Sequence, residues 1–404
     1  MAHLAIHSHA LKKVLYFFPL NPADRNSGSI SRALSLLRYF KARNMQVDFM
    51  SKQHWGQYTE QSKAAFLNTG LAENIHVVRR KPIKKNPITY FFGYKIGHLI
   101  FERKLATPAG SIPNHTTLHL RRQFDKLLKA KKYDYVIISY AYWADLVRDN
   151  PNLGEALTVM DTHDLLSTQH EQDPGFNREV ALTDELRRLD LFQQIWAISV
   201  EEQRFFQHYF GARVKWIPMM MDKPVLRQGV QKKYDLIYVA TDNPHNLAAS
   251  EWFFREVYPL LDAPIRLCVI GTIIPHISVS DDRLEKIAFA ESLTPLYEES
   301  RIAICPMLSG TGLKIKVVEA LAHGLPVVCT EKGMDGLPEK TDNGCTVAID
   351  ARSFAAAIQR LLSDEVEYRR QSQLGIVCFE KNFEKGAVYK MVDEALNVTP
   401  DEKN

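Results

Sequence analysis

The sequence predicts two doubly wound α/β domains in one chain, and three observations carry that expectation. Short apolar runs rich in β-branched and aromatic residues recur with helical stretches between them. The pattern restarts midway, after a Pro-, Gly- and Lys-bearing segment at about 222–233. The stretch 304–330 reads strand, glycine turn, helix, Gly-Leu-Pro break, strand, which is a parallel crossover unit in outline.

The elements follow in order. KVLYFFPL predicts a first buried strand, SISRALSLLRYFKARN a helix, and MQVDFM a second strand. YDYVIISY, ALTVMDTHD and IWAIS continue the first half; KYDLIYVA, IRLCVIG, RIAICPM and LPVVCT supply the second. Continuous apolar runs of this length suit parallel strands covered on both faces. Ligands of such sheets sit at the carboxyl ends of the strands, so a cleft between two facing domains is the expected site. The predicted boundaries are 1–222, 223–378, and a C-terminal helix over 379–404 packing back toward the N-terminal domain.

Composition bounds the function. The chain has 404 residues, 46% hydrophobic and 24% charged, which excludes disordered and collagen-like classes. With 51 basic against 47 acidic residues, it lacks the basic excess of a nucleic-acid coat, and no nucleic-acid partner is expected. Five cysteines, an odd number with no CxxC spacing, point to a reducing compartment and away from a disulfide framework or zinc ribbon. No apolar run reaches the roughly 20 residues a membrane span needs. Lys12 and Lys13 before VLYFFPL superficially resemble a signal peptide, but the run is short and stops at Pro19. His3, His7 and His9 read as a polar terminus.

Familiar motifs are missing: there is no GxxxxGK[ST], no HExxH and no GxGxxG. The chemistry is written in GTGLKIKVVEALAHG. Gly310 and Gly312 let the backbone approach a ligand. The helix expected from about Leu313 aims free N–H groups and its positive end at that turn. Lys314 and Lys316 are unfavourable in a first helical turn unless an anion is near. Lys316 and Glu319 are three apart and share a face, so one face can hold a diphosphate and, a turn later, a ribose. The plainer alternative is a crossover helix with two solvated lysines and a surface ion pair.

GTGLKIKVVEALAHGLPVVCTEKGMDGL resembles the C-terminal nucleotide-sugar motif of GT4-like (group 1) retaining glycosyltransferases, whose GT-B fold is two Rossmann-like domains facing across a cleft. YDLIYVATDNPHNLAASEWFFREVYPLL and ESLTPLYEESRIAICPM are similar to the elements around that motif. FFPLNPADRNSGSISRALSLLRYF resembles the family's N-terminal glycine loop and helix, and ALTVMDTHDLLS and IWAISVEEQRFF resemble later N-domain strands.

The resemblance implies sugar transfer, with retention, from a nucleotide-diphosphate sugar to an acceptor hydroxyl, in glycan or cell-envelope polysaccharide synthesis. It implies no metal and no cofactor beyond that co-substrate. Glu319 matches the second glutamate of the E-x7-E motif, on the donor ribose. Gly310, Thr311, Gly312, Lys314 and Lys316 match the diphosphate loop, Gly28 the N-domain loop toward the phosphate, and Phe289, in 288–291, the loop on the base. Two positions depart from the pattern. Thr311 stands where the first glutamate would, and Tyr140–Asp145 stands where a histidine-bearing stretch would. His163 is the substitute catalytic candidate, with Asp164 beside it to orient the imidazole. His170, His208, His245 and His323 read as surface or helix-packing residues. A nucleotide-sugar epimerase on the same architecture and a non-catalytic glycan-binding relative remain as alternatives.

Basic residues Arg79, Arg80, Lys81, Lys84 and Lys85 precede Tyr90, Phe91, Phe92 and Tyr94. Together they suit an anionic membrane surface through 79–94. The resemblance then implies a cytoplasmic enzyme, peripheral at the inner membrane face, with a glycan or lipid-linked acceptor. The plainer reading is a solvated loop followed by a core helix.

Overall fold

The computed structural model describes residues 11–23, 28–168, 174–227, 229–261, 264–310 and 312–399. The chain forms two units, divided mainly at Ile217/Pro218, with Ser199–Glu201 counted in the second and the described residues from Asn397 on in the first.

The first unit is built on seven parallel strands: β1 (Lys13–Phe17), β2 (Gln46–Lys52), β3 (Asn74–Val78), β4 (Tyr135–Ser139), β5 (Leu157–Asp161), β6 (Gln194–Ala197) and β7 (Val214–Trp216). Their order is β3-β2-β1-β4-β5-β6-β7. The central strands β1 and β4 are buried almost throughout, as their unbroken apolar runs require. Trp143, Phe17, Phe124 and Phe206 lie in the core on these strands, all essentially unexposed.

The second unit repeats the plan with six parallel strands: β8 (Tyr234–Val239), β9 (Leu267–Ile270), β10 (Leu284–Ile287), β11 (Ser300–Cys305), β12 (Val327–Thr330) and β13 (Cys345–Ala348). The order is β10-β9-β8-β11-β12-β13. Phe253, Phe354 and Ile358 cover one face of this sheet. All five cysteines are free thiols.

The division lies five residues before the expected 222/223 boundary. The expected break at 378/379 is not a break: one helix, Glu365–Asn382, runs through it. Cys378, Phe379 and Phe383 are buried, so this stretch is packed core and cannot act as a linker. The following helix, Lys385–Leu396, belongs to the second unit. Its start is tied there by main-chain bonds from Met221 N to Phe383 O (2.9 Å) and from Lys385 N to Met221 O (2.8 Å).

Candidate functional site

In the second sheet the strand order reverses between β8 and β11. Loops leaving the carboxyl ends of those two strands diverge, and such a switch point opens a crevice for a ligand. Two helices start there. The first, Pro244–Trp252, is capped by Asn243, whose side chain accepts from Asn246 N at 2.9 Å, and has Pro in its first turn. The second is Ile315–Ala322.

That second helix begins two residues later than the sequence suggests. Gly310 and Gly312 have φ of +91° and +78°, and Lys314 is the extended cap residue (φ −85°, ψ 96°), so the turn must finish before the helix can begin. Glycine is required at Gly310 twice over, because an added Cβ would also stand 3.2 Å from the His245 ring. His245 Nδ1 lies 2.8 Å from Ser309 Oγ, pinning the loop to the neighbouring helix. Lys314 Nζ donates to Gly310 O (3.2 Å) and Gly312 O (2.9 Å) and so holds the turn closed. Thr311 lies outside the described residues.

Lys316 reaches back across the switch point. Its Nζ donates to Asn246 Oδ1 at 2.9 Å and sits 5.4 Å from the centre of the Tyr238 ring. Burial lowers the pKa of both Lys314 and Lys316. Two partly desolvated ammonium groups beside a helix N-terminus raise the local positive potential, and an anion would relieve that cost.

Glu319, one turn on, accepts from the Tyr297 hydroxyl through Oε2 at 3.2 Å. Burial raises its pKa, while the Tyr297 bond and Lys316 oppose the rise. Tyr297 is fixed in turn by stacking on His323, with ring centres 4.8 Å apart. His323 is therefore a packing residue, with Nδ1 2.7 Å from Glu319 O. Phe289 follows β10 and is 79% exposed, a large aromatic face open to a planar ligand.

The first unit gathers a second group. His163 follows β5 with φ +62° and is buried, stacked on Tyr140 at 4.3 Å and on Phe18 at 5.6 Å. Its Nε2 lies 2.8 Å from Oδ2 of Asp161, the last residue of the strand. Asp161 is fully buried at the strand end. Arg32 completes the arrangement, donating through Nε to Asp161 Oδ1 (2.8 Å) and through Nη1 to Ile217 O (2.6 Å). Burial alone would push the Asp161 carboxyl up, but Arg32 and then His163 hold it well below the ordinary range. Gly28 is the exposed first residue of the helix Gly28–Ala42 that carries Arg32.

Residues 233–364 match the family described as Glycosyl transferases group 1. The matched residues lie within the second unit. Solved structures of the GT-B fold align over 96% of the chain. Sucrose-phosphate synthase of Thermosynechococcus elongatus superposes with a TM-score of 0.62 at 14% identity, over 96% of this chain and 98% of that one. HepE of Anabaena, in complex with UDP-glucose, superposes with a TM-score of 0.61 at 14% identity, over 96% and 100%. The fold is therefore GT-B. An uncharacterized 44.6 kDa protein in the cps region of Klebsiella pneumoniae is 22% identical over 56% of this chain. The match spans 65% of that relative's length.

Within the matched segment the turn and helix carry Gly310, Gly312, Lys314, Lys316 and Glu319 in sequence. The structure adds Asn246, His245 and Tyr238, which the motif alone does not reveal. Their signal was the polar run TDNPHN directly after an apolar strand: an Asn cap, a first-turn Pro, and a helix opening at a strand's carboxyl end.

Proposed function

We propose that the chain transfers a sugar from a nucleoside-diphosphate sugar to an acceptor hydroxyl, with retention at the anomeric carbon. The Lys316–Asn246 bond across the β8/β11 switch point, with Glu319 one turn later, carries the reading. HepE's complex with UDP-glucose, on the same fold, supports it. In this reading Gly310, Thr311, Gly312, Lys314 and Lys316 receive the diphosphate, with Gly28 toward the same phosphates. Glu319 binds the ribose and Phe289 stacks on the base.

Stabilising the departing diphosphate by fixed N–H groups and ammonium charge is the chief catalytic contribution, and no metal or further cofactor is assigned. The bond from the anomeric carbon to the diphosphate oxygen breaks. The acceptor oxygen bonds to the same face, and its proton passes to the leaving diphosphate. Buried His163 acts as a positioning residue, holding the strand-end turn through Asp161, while Asp164 stands next to it on the acceptor side. The Klebsiella relative's cps region favours polysaccharide synthesis as the setting.

Peripheral membrane contact is the second half of the proposal. Residues 87–104 form one continuous helical segment rather than a core helix: Ile88, Phe92 and Ile100 are 70%, 69% and 63% exposed. Their spacing places most of them along one stripe beside the basic loop. Tyr94, by contrast, is buried, so the stripe is aliphatic and Phe92, with Tyr90 turned partly inward. No helix among the described residues is long and apolar enough to cross a membrane.

The test is a panel of nucleotide sugars incubated with and without acceptor glycans, with products resolved by mass. Acceptor-dependent release of nucleoside diphosphate and a glycosylated product is expected. Free nucleotide with a rearranged sugar and no acceptor would show an epimerase, and binding without turnover a non-catalytic relative.

A further inference from the structure

The first unit holds a cavity of 1130 Å³ at the carboxyl ends of β2 and β3. Its walls are the turn Lys52–Trp55, the loop Arg80–Lys84, the helical segment 87–104 and the stretch Asn114–Thr117.

The charge balance inside it is lopsided. Lys52, Arg80, Lys81, Lys84 and Lys95 line it against a single carboxylate, Glu102. That carboxylate is already engaged, 3.1 Å from His98 Nε2. Lys52 is only 4% exposed, and its Nζ is met by His115 O at 3.3 Å and the face of Trp143 at 5.4 Å. No carboxylate among the described residues pairs with it. Burial, then the Arg80 charge, pushes its pKa down to about 8.

Polar atoms in the same walls also lack partners. Tyr94 Oη, Thr116 Oγ1 and His98 Nδ1 are buried with no hydrogen-bond partner among the described residues, and Tyr94 and Thr116 are 5% and 6% exposed. Buried polar groups are nearly always satisfied, so a cluster of three around one cavity marks where a ligand's polar atoms belong. Trp55, Tyr90, Phe91 and Leu99 make the rest of the wall apolar.

We propose that this cavity binds a phosphate-bearing acceptor, its phosphoryl oxygens against Lys52, Arg80 and Lys84 and its remaining body along the aromatic wall. The word acceptor rests on the transferase reading; the phosphate specificity rests on the cavity alone. A phosphoryl group carries about −1.5 to −2 charge and three acceptor oxygens, which matches several cations and unpaired donors better than one carboxylate does. The volume exceeds what phosphate alone fills and suits a drug-sized ligand or larger. A sugar phosphate and a lipid-linked phosphate share this chemistry.

Calorimetric titration of the full chain separates them. The probes are glucose 1-phosphate and decyl phosphate below its micelle-forming concentration, with glucose and decyl glucoside as uncharged controls. The variants are Lys52→Met and the exposed double variant Arg80→Gln/Lys84→Gln, which removes no buried group. Binding of at least one phosphate probe is expected, weakened tenfold or more in both variants while UDP affinity is unchanged. Glucose 1-phosphate alone points to a soluble sugar phosphate, decyl phosphate alone to a lipid phosphate, and both to the phosphate as anchor; each supports the site. The proposal is overturned if neither phosphate binds, if the uncharged controls bind equally well, or if Arg80→Gln/Lys84→Gln binds like the native chain. Phosphate binding without transfer from any nucleotide sugar would leave the site standing and remove the transferase reading. Transfer to uncharged acceptors with no phosphate preference would do the reverse.

Discussion

Glu319 is the sharpest test of the donor site, because its loss should separate binding from folding. In Glu319→Ala the donor ribose would lose a charge-assisted hydrogen bond, worth about 1.5–3 kcal/mol. At about 1.4 kcal/mol per factor of ten, UDP should bind roughly 10- to 150-fold more weakly. The folding cost is smaller. The buried Tyr297 hydroxyl loses its acceptor at 3.2 Å, a loss of about 1–3 kcal/mol. Removing a carboxylate that burial already disfavours offsets part of that. The sign with pH follows. Glu319's folded pKa lies above its ordinary value of 4.5, so its ionisation weighs against the fold as pH rises through that window. Ribose binding by the ionised form should strengthen over the same window. The assay is calorimetric titration of UDP between pH 4.5 and 7.5 on native and variant chains, with thermal melts in the absence of ligand. Unchanged UDP affinity in a folded Glu319→Ala would refute the assignment.

Other expectations follow from the same geometry. Lys316→Ala should weaken UDP by tenfold or more and uridine hardly at all if Lys316 meets the diphosphate as proposed; equal losses in titrations of the two would contradict that role. Arg32→Met leaves Asp161, fully buried, without its main partner, and should cost the first unit about 3–5 kcal/mol in urea unfolding. Asp161's folded pKa is depressed, so the pair stabilises above the unfolded value near 3.8 and its contribution is lost as pH falls through the folded pKa. The variant's deficit should therefore shrink on acidification. Transfer should persist after thorough chelation, since lysines and helix N–H groups are assigned the leaving group's charge; loss restored by magnesium or manganese would count against this. Replacing Ile88, Phe92 and Ile100 with serine should reduce co-sedimentation with anionic vesicles by tenfold or more, and a native chain that ignores such vesicles at low salt would end the membrane proposal.

The strands that could be read from the sequence are the interior ones, and those that could not are β3, β7, β10 and β13. These four are the two edges of each sheet. An interior strand is covered on both faces and by both neighbours, so β1, β4 and β9 are unbroken apolar runs with nearly every residue buried. An edge strand shares those constraints on one side only. Asn74–Val78 and Leu284–Ile287 keep partly exposed residues, including His76, Glu285 and Lys286, and read as loop.

The site divides along the same physical line. Gly310, Gly312, Lys314, Lys316 and Glu319 lie within ten consecutive positions, so backbone conformation and helix periodicity place them relative to one another before any tertiary contact forms. Asn246 and Asp161 could not be placed this way. Asn246 meets Lys316 from 70 residues away, and Asp161 meets Arg32 from 129, through contacts that exist only once the sheet order is set. His163 shows the cost of reasoning locally. The turn at φ +62° brings the imidazole to the strand end, where Asp161 is held by Arg32, a contact that sequence neighbours alone do not reveal. A carboxylate so anchored is a good fixed point for a buried imidazole, because its geometry and charge are set from the other side by Arg32. The same logic applies to Lys316: Asn246 can fix its ammonium because Asn243 has already capped the helix on which Asn246 rides.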